Sequence, residues 1–307
     1  MKKPKFSIVI ALAPWRDAEI RSSIRRLKYP KSRYEVIIIK GLNVPDNRNE
    51  GVKRANGDII VFLDDDGIIE PDYLNKLDAF LSAHPEVDIV GGPQLNPPGE
   101  GLFAQISGYA LGSSFGAFGI NKRYKKVPEN LSADSNYISG ANFISKKKVF
   151  YKLSFDREIY PADDVNFINE ARENSFKVAY SPDIVIYHRR RATFNGLVQQ
   201  IFDYGRARTN LHVLKHTIYK PFFLIPSLFI IYLLILPFII SLSLLFAMPL
   251  IFYFSLSILM ALYESIMNKE VFAFPILPGI FFAIHISYGL GLIYGLFRNI
   301  FKLKSTN

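Results

Sequence analysis

The chain contains no cysteine. That absence excludes a disulfide framework and a thiolate metal site, and it suits a catalytic domain in a reducing compartment. Charge is scarce in the last third. From Pro221 onward the charged residues are only Glu264, Lys269, Glu270, Arg298, Lys302 and Lys304. Of the 37 Lys+Arg and 27 Asp+Glu, 33 and 25 therefore lie in residues 1–220, a water-compatible part of net charge +8. The remainder is compatible with hydrocarbon, which predicts a membrane module. A secretory signal is not expected either. After Met1-Lys2-Lys3-Pro4-Lys5 the apolar run extends only from Phe6 to Ala13, too short and too β-rich, and reads as a first strand. At 307 residues there is room for one ordinary soluble domain plus that module. A basic domain can meet anionic lipid or phosphorylated substrates; nucleic acid fits poorly, since a soluble binder has no use for an apolar third.

Residues 6–13, 34–39 and 58–63 are short apolar runs rich in Ile and Val, separated by helix-like stretches at Asp17–Leu27 and Asn47–Ala55. Strands that alternate with helices and are apolar on both faces predict an α/β fold with a mainly parallel, Rossmann-like sheet. Ligands of such sheets bind beyond the carboxyl ends of the strands. Further strands are expected at Asp88–Val90, Tyr137–Ile144, Lys177–Tyr180 and Ile184–Tyr187, with helices at Asp72–Ala83 and Asp164–Asn174. Residues 101–135 are rich in Gly, Ser and aromatics without a clear period, and are expected to form a flexible active-site flank.

Phe194, Leu197, Val198, Ile201, Phe202 and Gly205 recur at helical spacing opposite Gln199, Gln200, Asp203 and Arg206. This amphipathic segment reads either as an interfacial helix on a bilayer or as a surface helix of the soluble domain. Three spans are expected at 222–246, 249–267 and 271–297, each about long enough to cross a bilayer core. The expected division is a catalytic domain over 1–192, an interfacial region over 193–220 and a membrane domain over 221–307. Three spans place the tail opposite the catalytic domain, whereas its Arg298, Lys302 and Lys304 favour the cytosolic side; two spans plus a re-entrant or interfacial segment is the alternative.

Asp64-Asp65-Asp66 follows directly on the apolar strand Ile59–Leu63. Adjacent carboxylates raise one another's pKa unless a cation neutralises them, and hard oxygen ligands suit Mg2+ or Mn2+ together with substrate phosphates. Along a strand Asp64 and Asp66 share a face and Asp65 points away, so the first two are the expected metal and ribose contacts. His188, at the end of a strand, is a candidate third ligand.

The order of motifs resembles the inverting, GT-A-fold glycosyltransferases of family 2. Ala13-Pro14-Trp15-Arg16-Asp17 resembles the family's first loop, Arg48-Asn49-Glu50-Gly51 its R-N-x-G segment, and Gly57 to Asp66 its metal-binding strand. Ser139-Gly140-Ala141-Asn142 resembles its acceptor-side strand, and Asp163-Asp164 stands where the family usually has Glu-Asp. The resemblance implies that Pro14, Asp17, Arg48, Asn49, Asp64 and Asp65 bind a nucleotide-sugar, a UDP-sugar by preference or a GDP-sugar. It also implies that Asp164, or Asp163 in its place, takes the acceptor proton, a step an inverting transfer requires. The bland alternative for that pair is a helix N-cap. One departure concerns the nucleotide base. Family members often carry Asp after the second strand, where this chain has Lys40-Gly41-Leu42.

Tyr187-His188-Arg189-Arg190-Arg191, Gln200, Tyr204-Gly205-Arg206-Ala207-Arg208 and His285-Ile286-Ser287-Tyr288-Gly289-Leu290-Gly291 resemble the membrane-bound succinoglycan-type glucosyltransferase branch. That implies a cell-membrane enzyme, multi-pass, with its catalytic domain on the cytoplasmic side, elongating a polyprenyl-linked saccharide. Gly140, Asn142, Arg189, Arg191, Gln200, Arg206 and Arg208 are the candidate contacts to acceptor or lipid diphosphate. Two rivals are a polyprenyl-phosphate sugar synthase, whose ionised acceptor needs no base, and a non-catalytic membrane scaffold with a decayed transferase domain.

Overall fold

A computed structural model describes residues 3–305. The chain divides into two compact units, one running to Glu100 and resuming over Ile120–Arg189, the other formed by Gly101–Gly119 with the chain from Arg190 on. Residues 101–119, expected within the N-terminal domain, thus group with the C-terminal unit.

The strands of the first unit are β1 Phe6–Leu12, β2 Tyr34–Lys40, β3 Ile59–Leu63, β4 Gly67–Ile69, β5 Ile89–Gly91, β6 Gln94–Leu95, β7 Asn142–Lys146, β8 Val178–Tyr180 and β9 Ile186–His188. Six form a sheet in the order β2-β1-β3-β7-β5-β8, and β4-β9-β6 form a smaller one. In the large sheet β7 runs antiparallel to both β3 and β5 while the other pairings are parallel, so the sheet is mixed. Helices α1 Arg21–Ile24, α2 Val44–Arg54 and α3 Tyr73–Ala83 come before residue 100; α4 Leu102–Gly112 belongs to the second unit, and α5 Asp163–Glu173 returns to the first.

Alternation along the strands divides the core. Ile8, Ile10, Val61 and Leu63 join Leu74 and Leu77 of α3 on one face. Val9, Ile60, Phe62 and Phe143 join Val52 of α2 and Phe167 and Ile168 of α5 on the other. Each fully buried side chain of this size contributes about 1.5–3 kcal/mol. The layers hold the carboxyl ends of β1 and β3 next to one another, which is where the acid triplet emerges.

Three expectations are corrected. The helix expected over Asp17–Leu27 shrinks to the single turn α1, since its flanks close in tighter i→i−3 bonds, Ser22 N–H to the Glu19 carbonyl before it and Arg26 and Leu27 N–H to the Ser23 and Ile24 carbonyls after it. The strand expected from Tyr137 begins only at Asn142, since the Gly140 N–H donates to Asp164 rather than to a ladder. The stretch 101–135 is not an irregular flank throughout: Leu102–Gly112 is helical, its period hidden because small residues such as Ala104, Ser107, Gly108 and Ala110 are all buried.

The second unit continues with α6 Phe194–Ala207, α7 Leu211–Tyr219, α8 Ile225–Ile239, α9 Met248–Met267 and α10 Leu277–Ser305. Thr193 caps α6 by accepting the Gly196 N–H. Leu197, Ile201 and Gly205 are the buried stripe of α6. A Cβ on Gly205 would lie 2.1 Å from the Tyr288 carbonyl oxygen of α10, and one on Gly291 would lie 2.0 Å from the Phe202 carbonyl oxygen. Glycine at both positions lets α6 and α10 meet backbone to backbone. His285 of α10 is gripped from two sides: its Nε2 lies 2.9 Å from the Phe115 carbonyl oxygen and its Nδ1 2.8 Å from the Tyr253 hydroxyl of α9. The Nε2 proton therefore goes to Phe115, and Tyr253 donates to Nδ1. Among the described residues two helical segments are long and apolar enough to cross a membrane, Leu244–Met267 and Leu277–Ile300, rather than three. The third, Ile225–Ile239, has 15 residues and Pro237 within it, about 22 Å of helix against a core of about 30 Å.

Candidate active site

The site is built at the end of β3. Gly67 opens β4, which pairs with β9 so that Gly67 lies opposite His188. A Cβ at Gly67 would come within 2.5 Å of Ile186 Cδ1, so a larger residue there would have to displace the end of that buried side chain. The pairing brings the His188 Nε2 to 3.1 Å from Asp64 Oδ2 and 3.2 Å from Asp66 Oδ1. One ligand atom from each of these three residues lies within 4.8 Å of the other two. Two carboxylate oxygens and an imidazole nitrogen suit a divalent cation such as Mn2+ or Mg2+. The same geometry sets the protonation of His188. Burial pulls its pKa down, but the two carboxylates outweigh that and lift it to about 9, so a cation taken up by these three groups would displace a proton from the ring.

Asp65 turns to another partner. Its Oδ2 lies 2.9 Å from Arg16 Nε, while Arg16 Nη2 donates to Asp66 at 3.1 Å. Burial, reinforced by the neighbouring Asp66 charge and opposed by Arg16, pushes Asp65 up to about 6. Pro14 and Asp17 are exposed on the same loop after β1.

Arg48, buried on α2, links this cluster to the second acid pair. It donates through Nη1 to Asp163, its Nη2 lies 3.7 Å from Asp64, and its guanidinium sits 5.3 Å from the Phe155 ring centroid. A Cβ on Gly140 would come 2.5 Å from Arg48 Nη2, so Gly140 makes room for that side chain. Burial pushes the Asp163 carboxyl up, against the pull of Arg48 and with the push of Asp164. Asp164 Oδ2 accepts the Gly140 N–H at 2.9 Å and lies 3.4 Å from Arg123 Nη1, and its Oδ1 accepts the Val165 N–H at 2.7 Å. Both acids open α5, where a carboxylate also meets the positive end of the helix. The structure thus gathers Asp64, Asp66, His188, Arg48, Asp163, Asp164 and Gly140 in one place.

The other sequence candidates make contacts of their own within the chain. Asn49 brackets the Phe155 backbone, donating to its carbonyl at 2.7 Å and accepting its N–H at 2.9 Å. Asn142 is fully buried, accepting from the Tyr73 hydroxyl and donating to the Ile184 carbonyl, each at 2.6 Å. Arg189 pairs with Glu19 at 3.2 Å. Arg191, Gln200, Arg206 and Arg208 belong to the second unit. There Gln200 donates to the Tyr204 hydroxyl at 3.2 Å, Arg206 pairs with Asp203 at 3.0 Å, and Arg208 is buried 4.0 Å from the Phe223 ring centroid. Sequence reasoning missed Arg16 and Arg123 as partners of the acids. Arg16 lay inside a motif already noticed, whereas Arg123 was masked by the charge run Lys122-Arg123-Tyr124-Lys125-Lys126.

A family model described as "Glycosyltransferase like family 2" matches residues 4–203. No curated protein matches the sequence. Among solved structures, the mannosyltransferase PcManGT from Pyrobaculum calidifontis, in complex with GDP-Man and Mn2+, shares the fold at TM-score 0.59, with 14% identity over 94% of this chain and 87% of that one. Residues 1–349 of S. aureus TarS, in complex with UDP-GlcNAc, match at TM-score 0.47 and 17% identity over 67% of this chain and 65% of that one. Glucosyl-3-phosphoglycerate synthase from Mycobacterium tuberculosis matches at TM-score 0.42 and 13% identity, over 61% of this chain and 73% of that one. The chain spans just under two thirds of the length of that TarS structure.

Proposed function

The chain belongs to the glycosyltransferase-like family 2, and from that premise we propose that it transfers a sugar from a nucleoside diphosphate-sugar to an acceptor hydroxyl with inversion. The observation that carries this reading is the convergence of Asp64, Asp66 and His188 beside the Arg48–Asp163–Asp164 group. When bound there, a divalent cation supplies positive charge for the leaving diphosphate. The structural likeness to a mannosyltransferase solved with GDP-Man and Mn2+ supports that choice of donor class and ion.

The protein's own groups do the rest. Arg48 holds Asp64 and Asp163 in fixed relation, and Gly140 and Val165 hold the Asp164 carboxylate through their N–H groups. Asp164 takes the acceptor proton as the hydroxyl attacks the anomeric carbon. The acceptor in this reading is a polyprenyl-linked saccharide, and the two long apolar helices anchor the enzyme in the cell membrane. An even number of crossings returns the basic end of α10, including Arg298, to the cytoplasmic side on which the catalytic unit lies, as the positive-inside rule favours.

One observation favours a second reading. Both Asp164 oxygens already accept N–H donors, and Arg123 stands near. Oxygens so engaged are less free to turn toward an acceptor hydroxyl, which matters less if the acceptor is an already ionised lipid phosphate. Asp164→Asn separates the two. A loss of about 100-fold or more in transfer rate, the usual worth of a general base, supports the hydroxyl acceptor; near-normal transfer to a polyprenyl phosphate supports the other.

A further inference from the structure

The segment from Arg21 to Arg33 carries six basic residues, Arg21, Arg25, Arg26, Lys28, Lys31 and Arg33, and no acid. All six are exposed. Beneath them Ile24, Leu27 and Tyr29 are buried in the core, so the segment is a strap with an apolar underside and a cationic outside. It is fixed in place. The Lys28 N–H donates to the Pro71 carbonyl at 2.7 Å, Asn75 Nδ2 donates to the Lys28 carbonyl at 2.8 Å, and the Tyr29 hydroxyl donates to Asp78 at 2.7 Å.

Among the described residues the nearby acids make their ion pairs with cations outside the strap, although Arg33 adds a longer-range pull on Asp78. Glu70 and Asp72 both pair with Lys76, at 2.7 and 3.1 Å. Asp78 is held by Lys5 and Tyr29, and Glu19 takes Arg189 at 3.2 Å. The six cations thus lie exposed along one anchored segment, and the ion pairs of the nearby carboxylates go to other cations. Nothing in the transfer reaction draws on them.

We propose that this strap is a docking surface for the anionic phospholipid headgroups of a bilayer. The inference rests on the membrane reading above. A sheet of lipid phosphates is the polyanion nearest to hand for a chain with two helices able to cross a membrane. Four of the six cations are arginine, whose fork matches phosphate oxygens bidentately. Each basic group close to an anionic leaflet adds attraction that falls away with salt. The only aromatic ring in the strap, Tyr29, is turned into the core. The outside therefore offers charge without the stacking surface that single-stranded nucleic acid uses.

The test uses the absence of cysteine. Ser32→Cys introduces one thiol on the exposed face of the strap. The full chain carrying it is placed in nanodiscs of phosphatidylcholine alone or with about a third phosphatidylglycerol, and the rate of maleimide modification is followed. The anionic discs should slow the reaction about tenfold. High salt should erase the difference, as should Arg25→Glu/Arg26→Glu/Lys28→Glu in a variant whose melting temperature is unchanged. Equal rates in both discs, for a protein that resists alkaline extraction from membranes, overturn this inference and leave the membrane reading standing. Complete alkaline extraction overturns the membrane reading and this inference together. Stronger protection by single-stranded RNA than by anionic discs overturns the lipid assignment.

Discussion

Arg48 and Asp163 form a buried ion pair across 115 residues of sequence, with Asp64 3.7 Å from the same guanidinium. One cation therefore ties the acid triplet to the acids at the start of α5. Removing either partner leaves the other charge buried without compensation. Arg48→Met should destabilise the protein by about 3–5 kcal/mol, and the double variant with Asp163→Leu should cost less than the sum of the single changes. Thermal or denaturant unfolding of the two single variants and the double variant checks this; strict additivity contradicts the pairing.

The contact between α6 and α10 depends on missing side chains. Gly291→Ala would place a methyl 2.0 Å from the Phe202 carbonyl oxygen, a backbone atom. Overpacking of this kind costs about 1–3 kcal/mol. The expected outcome is a lower melting temperature of the detergent-solubilised protein, with a similar loss for Gly205→Ala. Gly279→Ala serves as the control, because nothing lies within 4 Å of its added carbon.

Acid stability should depend on Glu35. Burial pushes its pKa up, but donors from Ser7 and from the Asn56 side chain and backbone outweigh that and hold it below the ordinary 4.5. A depressed folded-state pKa gives stability that is present above the unfolded value and lost as pH falls through the folded one. Glu35→Gln should therefore lower stability at neutral pH and flatten the decline below about pH 4.5. Denaturant midpoints measured from pH 7 down to about pH 3 read this directly.

Much of this was legible before folding, for identifiable reasons. The runs at β1 and β3 are apolar because both faces of the sheet are covered there, β2 at the sheet edge is Ile-rich but only partly buried, and Asp64-Asp65-Asp66 announces the end of β3 by an abrupt change of polarity. His188 was suspect as a ligand, but its meeting with Asp64 and Asp66 is made by β4 and β9, three residues each, too short to show a period. The antiparallel direction of β7 is likewise a property of pairing and not of composition. Asn49 and Asn142 were drawn in by their motifs, and the contacts their amides make, to the Phe155 backbone and between Tyr73 and Ile184, could not be read there. Such use of an amide depends on chain segments far apart in sequence. The helix α4 escaped notice because a helix buried by small residues on several sides carries no stripe.

The central claim is that Asp64, Asp66 and His188 hold the divalent cation on which sugar transfer depends. The most direct measurement is nucleoside diphosphate release from UDP- and GDP-sugars by the membrane-reconstituted protein, with and without Mn2+, compared with Asp66→Ala and His188→Ala. The account predicts release that needs the cation and is abolished by a chelator. It also predicts that Asp66→Ala abolishes release and that His188→Ala weakens apparent Mn2+ affinity by at least about tenfold, since even an outer-shell partner is worth that much. Wild-type rates in the chelator, or in Asp66→Ala, would contradict it.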